Sequence, residues 1–486
     1  SILYNFIVMG WVINAMASVM SVMLNMDKWT AVWLCVIIAL VYAILSGFWG
    51  VVITDLVQFC IAMFGSIALA IIALNHVGGM ESLLSKLSGL LGSDAVHENT
   101  IKFIPPIPDT GVTTSAFWES PFSKFLIFIG VMWWSHHGTD GGGYIIQRMS
   151  SAKNERHALL ATLWFNLAHY ALRVWPWVIV AVVSIVMFPV IPDSYSELGV
   201  KAGYPLVMNT LLGPGLKGIL IVSFLAAFMS TIDTHLNWAS SYIINDIYKR
   251  FFKPDESESH YVLVGKISTA ILMVMAAFTA MKMQSISKAW EFIFSMGAGI
   301  GLVLILRWFW WRVNAWSEIT ALSTSIIVTL ILETIAGIQT IQAGNEYTLF
   351  GSAPVLFGIS LQIHHKLMII VPLAVTAWIA ATFFTKPEPN EILTKFYQRV
   401  QPGGWWGPIS QQIIHTMEPV THGFIVQWIA GIMMVYGFTF GIGSLVFTKY
   451  SQAVVLLGFA MLGTFLVWNR SISKLNKTQR TQTTQS

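Results

Sequence analysis

The sequence predicts an all-α polytopic membrane protein with about 12 transmembrane helices, and three observations predict it. First, 55% of the 486 residues are hydrophobic and only 10% are charged, where a soluble domain averages roughly 25% charged residues. A chain so poor in charge cannot clothe a water-facing surface of its own size, and need not where lipid covers it. Second, twelve apolar runs approach the ~20 residues that cross a bilayer. Third, the Lys and Arg residues gather in short clusters between these runs, as topology signals do.

The runs lie near 2–25, 29–47, 51–75, 122–146, 158–188, 206–247, 261–281, 286–311, 318–340, 367–385, 422–447 and 451–468. The basic clusters are Arg148, Lys153 and Arg156; Lys249, Arg250 and Lys253; Arg307 and Arg312; Lys386, Lys395 and Arg399; and Arg470, Lys474, Lys477 and Arg480. Each follows an even-numbered run, so all fall on one side, which the positive-inside rule makes cytoplasmic. The C-terminus is then cytoplasmic and the expected location is the plasma or inner membrane. The 76–121 segment lies outside, where Pro105, Pro106 and Pro108 exclude a regular helix. A cytoplasmic loop is expected near 386–420, and the polar 471–486 tail has too few apolar residues to fold.

Composition also excludes classes. A net charge of +4 spread over the loops is no nucleic-acid footprint. Cys35 and Cys60 both sit in apolar runs and form no disulfide framework. The 21 tryptophans suit the membrane–water boundary. The chain opens inside an apolar run without a basic leader, which reads as a lost N-terminus rather than a signal peptide.

Ionisable and polar groups within spans are costly and are functional candidates. In the sixth run Ser230, Asp233, Thr234 and Asn237 recur at i, i+3, i+4 and i+7, with Ala227 and Thr231 beside them. That spacing lines oxygen-bearing side chains along one helix face. Helix packing accounts for Ala, Ser and Thr but not for Asp233. A hard cation, which seeks hydroxyl, carbonyl and carboxylate oxygen, does. In the fifth run Asn166, His169, Tyr170 and Arg173 repeat the spacing, and a structural salt bridge is the bland reading of Arg173. Asp55 opens the third run, where capping a helix N-terminus is the alternative. In the fourth run Gly138, Gly141, Gly142 and Gly143 should unwind a helix. Such breaks build the binding sites of many secondary transporters, although these glycines could instead end the span in a turn.

Three motifs in order resemble the sodium:solute symporter family of sodium/glucose, proline and sialic acid cotransporters. They are TDLVQ at 54–58, YIIQRMSSAK at 144–153, and AAFMSTIDTHLN at 226–237 followed by NDIYKR at 245–250. The resemblance implies a five-plus-five inverted repeat, with 1–315 as the third to tenth core helices, the first two absent, and 316–470 as additional helices. It implies a sodium site using Ala227, Ser230 and Thr231. It also implies a second cation or proton site at Asp55, Asp233 and Thr234, where Asp233 replaces a hydroxyl. Ser135, His169 and Trp290 fall where sugar carriers use amide, amine and amide groups, so sugar specificity does not carry over. With His136, Asp140 and Arg173 they form the expected substrate pathway, and Arg173 with His169 suits a carboxylate or sulfonate.

The function so implied is sodium-coupled symport of a small polar organic solute by alternating access, with sodium as coupling ion, no cofactor and no enzymatic step. Two other readings stand beside it. One is a membrane-embedded enzyme or haem protein, prompted by His136–His137 and His364–His365. Adjacent residues on a helix diverge by about 100°, so such pairs chelate one ion poorly, and no HExxH or Cys/His cluster occurs. The other is a channel or a transporter-derived sensor.

Overall fold

The computed structural model describes residues 2–45, 48–92, 103–109, 111–112, 114–283, 285–345, 353–356, 358–411 and 421–469. Helices dominate, and the one small sheet is a hairpin pairing Val355 with Ser360 and Leu356 with Ile359. Among the described residues, ten helices are long and apolar enough to cross a membrane. Two of the anticipated spans, Lys28–Ala43 and Pro121–Ser135, are shorter apolar helices. The helices at the twelve anticipated positions are α1 (Ile2–Leu24), α2 (Lys28–Leu45), α3 (Phe48–His76), α4 (Pro121–Ser135), α5 (Glu155–Met187), α6 (Pro214–Phe252), α7 (Glu258–Lys282), α8 (Ile286–Phe309), α9 (Ala315–Gln342), α10 (Ile363–Phe384), α11 (Thr421–Val446) and α12 (Tyr450–Val467). Large apolar side chains such as Ile67 and Ile71 on α3 and Val454, Phe459 and Phe465 on α12 are exposed. A water-soluble surface does not tolerate apolar area on that scale, and lipid does. The chain is an integral membrane protein.

The chain forms two compact units. The first comprises Ser1–Val96, Pro176–Glu291 and Thr340–Ser352; the second comprises His97–Trp175, Phe292–Gln339 and Ala353–Ser486.

In the first unit α1 packs against α2, α6 and α7. Their shared core holds Met9, Ile13 and Met16 of α1, Val32, Cys35 and Val36 of α2, Ile232 and Leu236 of α6, and Ala276, Ala277 and Ala280 of α7. Small residues let the helices approach closely, as membrane packing requires. A Cβ on Gly10 would lie 2.8 Å from Thr279 Cγ2. The close crossing brings Asn14 Nδ2 to the carbonyls of Ala280 and Met283, at 3.0 and 2.6 Å. Lys28 Nζ reaches Met281 O at 3.2 Å. Both side chains satisfy carbonyls that the end of α7 leaves without helical partners. α3 packs on α6, with Gly65 against Leu220, and Leu69, Ala70 and Ala73 further along α3 share a core with Leu212 and Leu220.

In the second unit α11 pairs with α12, and α11 also packs on the Leu167–Leu172 turn of α5. Met132 of α4, Leu332 of α9 and Leu367, Ile370 and Val371 of α10 share a core. Gly299 sits flush against Ala374 of α10 and Ser325 of α9, where a Cβ would come within 2.2 Å of both.

Candidate functional site

The sixth span is helical through Pro214–Ser241, so the candidate oxygens of the first unit do share a helix. Burial divides them. Ala227 and Asn237 are exposed and Ser230 and Thr231 are half-buried, whereas Asp233 is 1% exposed and Thr234 is 9% exposed. Thr231 Oγ1 donates to Ala227 O at 3.0 Å, and Thr234 Oγ1 donates to Ser230 O at 3.0 Å. Each threonine thereby spends its hydrogen within the helix and keeps both hydroxyl lone pairs. Such a set of oxygens can accept from a donor or coordinate a hard cation.

Asp233 lies three residues beyond Ser230 on α6, and His235 Nδ1 pairs with Asn5 Oδ1 on α1. The side chain of Asp55, expected to share a site with Asp233, lies outside the described residues. Trp290, also in this unit, is on the first half of α8 and is 42% exposed.

In the second unit the fourth span is broken, as its glycines suggest. The helix ends at Ser135, a turn covers 136–141, and a new helix runs from Gly142 to Ser150. Gly141 and Gly142 take φ values of +97° and +62°, where a side chain would be strained. The turn holds itself together: Gly138 N donates to His136 Nδ1 at 2.7 Å, Thr139 Oγ1 to His136 O at 2.6 Å, and Gly142 N to Asp140 Oδ1 at 3.0 Å. Ser135 is fully buried and Oγ has no hydrogen-bond partner. His136 is thus engaged by the turn itself, and its neighbour His137 faces Gly297. Among the described residues no three His, Cys, Asp or Glu side chains converge on a metal position.

A second break, which the sequence reading passed over, interrupts α8 between Met296 and Gly301. Its signal was present as SMGAGIG, with glycine at 297, 299 and 301. Gly301 lies against the Trp134 carbonyl and Gly297 against the His137 ring, each closer than any Cβ would allow. The two breaks therefore meet. Asp140 belongs to this junction: Oδ2 accepts from Arg307 Nη2 at 2.8 Å. Arg307, expected only as a basic residue closing the eighth span, also donates through Nη1 to Glu318 Oε1 at 2.8 Å.

The polar stripe of the fifth span is altered by a π-helical turn at Leu167–Leu172. Wider hydrogen bonding adds a residue to the turn, so the expected single face over Asn166–Arg173 is not kept. Asn166 Nδ2 bonds back to Thr162 O, Tyr170 is exposed, and Arg173 Nη2 lies 3.1 Å from His169 Nε2. Thr439 Oγ1 on α11 donates to the Tyr170 carbonyl, one of the groups such a bulge displaces.

The model of the family described as "Sodium:solute symporter family" matches residues 1–346. The osmoregulated proline transporter of Bacillus subtilis is 23% identical over 63% of this chain and 57% of its own length. Sodium/glucose cotransporter 4 of Danio rerio is 24% identical over 79% of this chain and 59% of its own. The chain thus spans under two thirds of the length of these curated relatives. A solved structure described as the substrate-bound outward-open state of a Na+-coupled sialic acid symporter superposes with a TM-score of 0.54 at 15% identity, covering 79% of this chain and 73% of that one. At that identity the likeness is one of fold.

Proposed function

Because the chain belongs to the sodium:solute symporter family, we propose that it carries a small polar organic solute across the membrane together with sodium, by alternating access and without a chemical step. The observation that carries the reading is the oxygen set on α6. Ala227 O, Ser230 Oγ and Thr231 Oγ1 lie on the less buried side of a buried helix, and the Thr231 hydroxyl keeps both lone pairs for a cation. These three residues would hold the coupling sodium. Asp55, Asp233 and Thr234 would hold a second cation or a proton; α3 and α6, which carry them, pack together.

The relatives act on proline and on sugars by their names, which leaves the solute class to this chain's own residues. In the second unit Ser135, His136, Asp140, His169 and Arg173 would line its pathway, as would Trp290 in the first. The guanidinium of Arg173, held by His169, favours a carboxylate or sulfonate over a neutral sugar. Residues 1–315 would form the transport core and 316–470 accessory helices. The protein would sit in the plasma or inner membrane with a cytoplasmic C-terminus.

One charge crossing 100 mV gains ~2.3 kcal/mol and a tenfold gradient adds ~1.4 kcal/mol. One sodium ion could therefore sustain a solute gradient of several hundredfold, on the order of what ~3.7 kcal/mol allows. The test is accumulation of labelled carboxylates, sulfonates and neutral sugars in membrane vesicles with an imposed inward sodium gradient. Accumulation that collapses with a sodium ionophore supports symport. Equilibration without accumulation points to a channel, and sodium-independent turnover of the solute points to an enzyme.

A further inference from the structure

The second unit contains a charge-and-backbone assembly that the symport reading enters only through Asp140. Arg307 stands at the end of α8 and forks onto two carboxylates, Asp140 in the break of the fourth span and Glu318 in the first turn of α9, both at 2.8 Å. Asp140 completes the link, because its other oxygen accepts the first amide of the helix Gly142–Ser150. Arg307 is thereby one bond removed from the start of that helix. A planar guanidinium can serve two carboxylates in fixed directions; an ammonium on a flexible stem cannot hold the same geometry.

The end of α8 is itself held from the other side. Beyond α10 the chain forms a short amphipathic helix, Asn390–Val400, and then turns back at Gly404. Trp405 N donates to Phe309 O at 2.6 Å, Trp311 N donates to Trp405 O at 3.3 Å, and Trp406 Nε1 donates to Trp308 O at 2.9 Å. Leu393, Tyr397, Trp406 and Ile409 pack with Trp311 and Phe396 behind this pairing. Gly404 takes φ +95°, and a Cβ there would lie 2.6 Å from Phe309 O. The residues just after Arg307 are therefore clamped by backbone bonds to a segment beyond the 1–346 family match.

We propose that Arg307 is a positioning residue for transport: through Asp140 it fixes the non-helical turn of the fourth span, and the Gly404–Trp406 clamp fixes Arg307 in turn. The inference rests on the symport reading for its functional consequence but not for its geometry. The turn's own hydrogen bonds reach no further than three residues, and its glycines leave it few longer-range constraints. Two charge-assisted bonds from a rigid fork, tied to a clamped helix end, supply them.

The test uses two independent readouts. Amide hydrogen exchange over 136–145 is measured on purified wild-type protein and on Arg307→Gln and Arg307→Lys. Both variants should exchange this segment about tenfold faster, with α1 and α7 unchanged, because local opening scales with the lost contacts. Gly404→Ala alters no charge and should produce a smaller rise in the same segment. Sodium-driven uptake is then compared: maximal rate should fall about tenfold in Arg307→Gln with sodium half-saturation changed by less than about twofold, the signature of a group that contacts neither ion nor solute. Unchanged exchange in the Arg307 variants overturns the proposal, as does faster exchange with full maximal uptake. If Arg307→Gln does not fold, Gly404→Ala decides, and no rise in exchange there overturns it. Absence of sodium-driven uptake in the wild type would instead remove the symport reading and leave the exchange result to judge the geometry alone.

Discussion

Thr231 Oγ1 lies 3.0 Å from the carbonyl oxygen of Ala227 and donates its hydrogen to it. The bond fixes the hydroxyl rotamer and turns both lone pairs away from the helix axis, next to the half-buried Ser230. A cation bound there would lose two oxygens in the double variant Ser230→Ala, Thr231→Ala. Hydrogen-bond-scale contacts to a charge are worth ~1.5–3 kcal/mol each, so the sodium concentration for half-maximal uptake should rise at least about tenfold. Unaltered sodium dependence in a variant inserted at normal levels would count against these ligands.

Asp233 is 1% exposed on α6, three residues beyond Ser230. A carboxylate buried so deeply is stabilised by a cation or becomes protonated. Asp233→Asn should lower the ratio of sodium to solute moved per cycle, read from reversal potentials. A shifted pH profile with the ratio preserved would assign the position to a proton. If neither quantity moves, Asp233 belongs to the α1–α6 packing alone.

Arg173 and His169 act as a pair across one π-helical turn. Arg173→Gln should weaken uptake of carboxylates about tenfold or more and leave any neutral competitor within about twofold, since a charge-assisted contact is roughly twice a neutral one. Equal affinity for both classes after the change would make Arg173 structural and withdraw the anionic solute.

Lys366 and Glu333 form an ion pair at 2.6 Å with side-chain exposures of 5% and 18%, joining α10 to α9. Removing one partner strands the other charge. Lys366→Met should therefore destabilise by ~3–5 kcal/mol and lower the thermal midpoint in detergent. The double variant Lys366→Met, Glu333→Leu should recover most of that loss. Additive losses in the double variant would show that the pair is not coupled.

The sequence by itself determined that this chain lives in a bilayer, because the length of an apolar run is compared with one fixed thickness of hydrocarbon. It located the α6 oxygens by helical spacing and the first break by its glycines, since both are local: φ above zero at Gly141 and Gly142 is written in the residues themselves. Three motifs in order were enough to suggest the family that the 1–346 match establishes. Spacing failed at Asn166–Arg173, where a π-turn braced by Thr439 of a distant helix overrode the α-helical period. Only the tertiary structure decided what the charges do. Arg307 read as a topology signal, yet its guanidinium meets a carboxylate 167 positions away in the chain. Lys366 and Glu333, which no sequence motif singles out, share one bond across 33 positions of the chain. The physical reason is that an ion pair depends on separation in space, and a folded chain sets that separation by which helices pack together, a quantity no local pattern encodes.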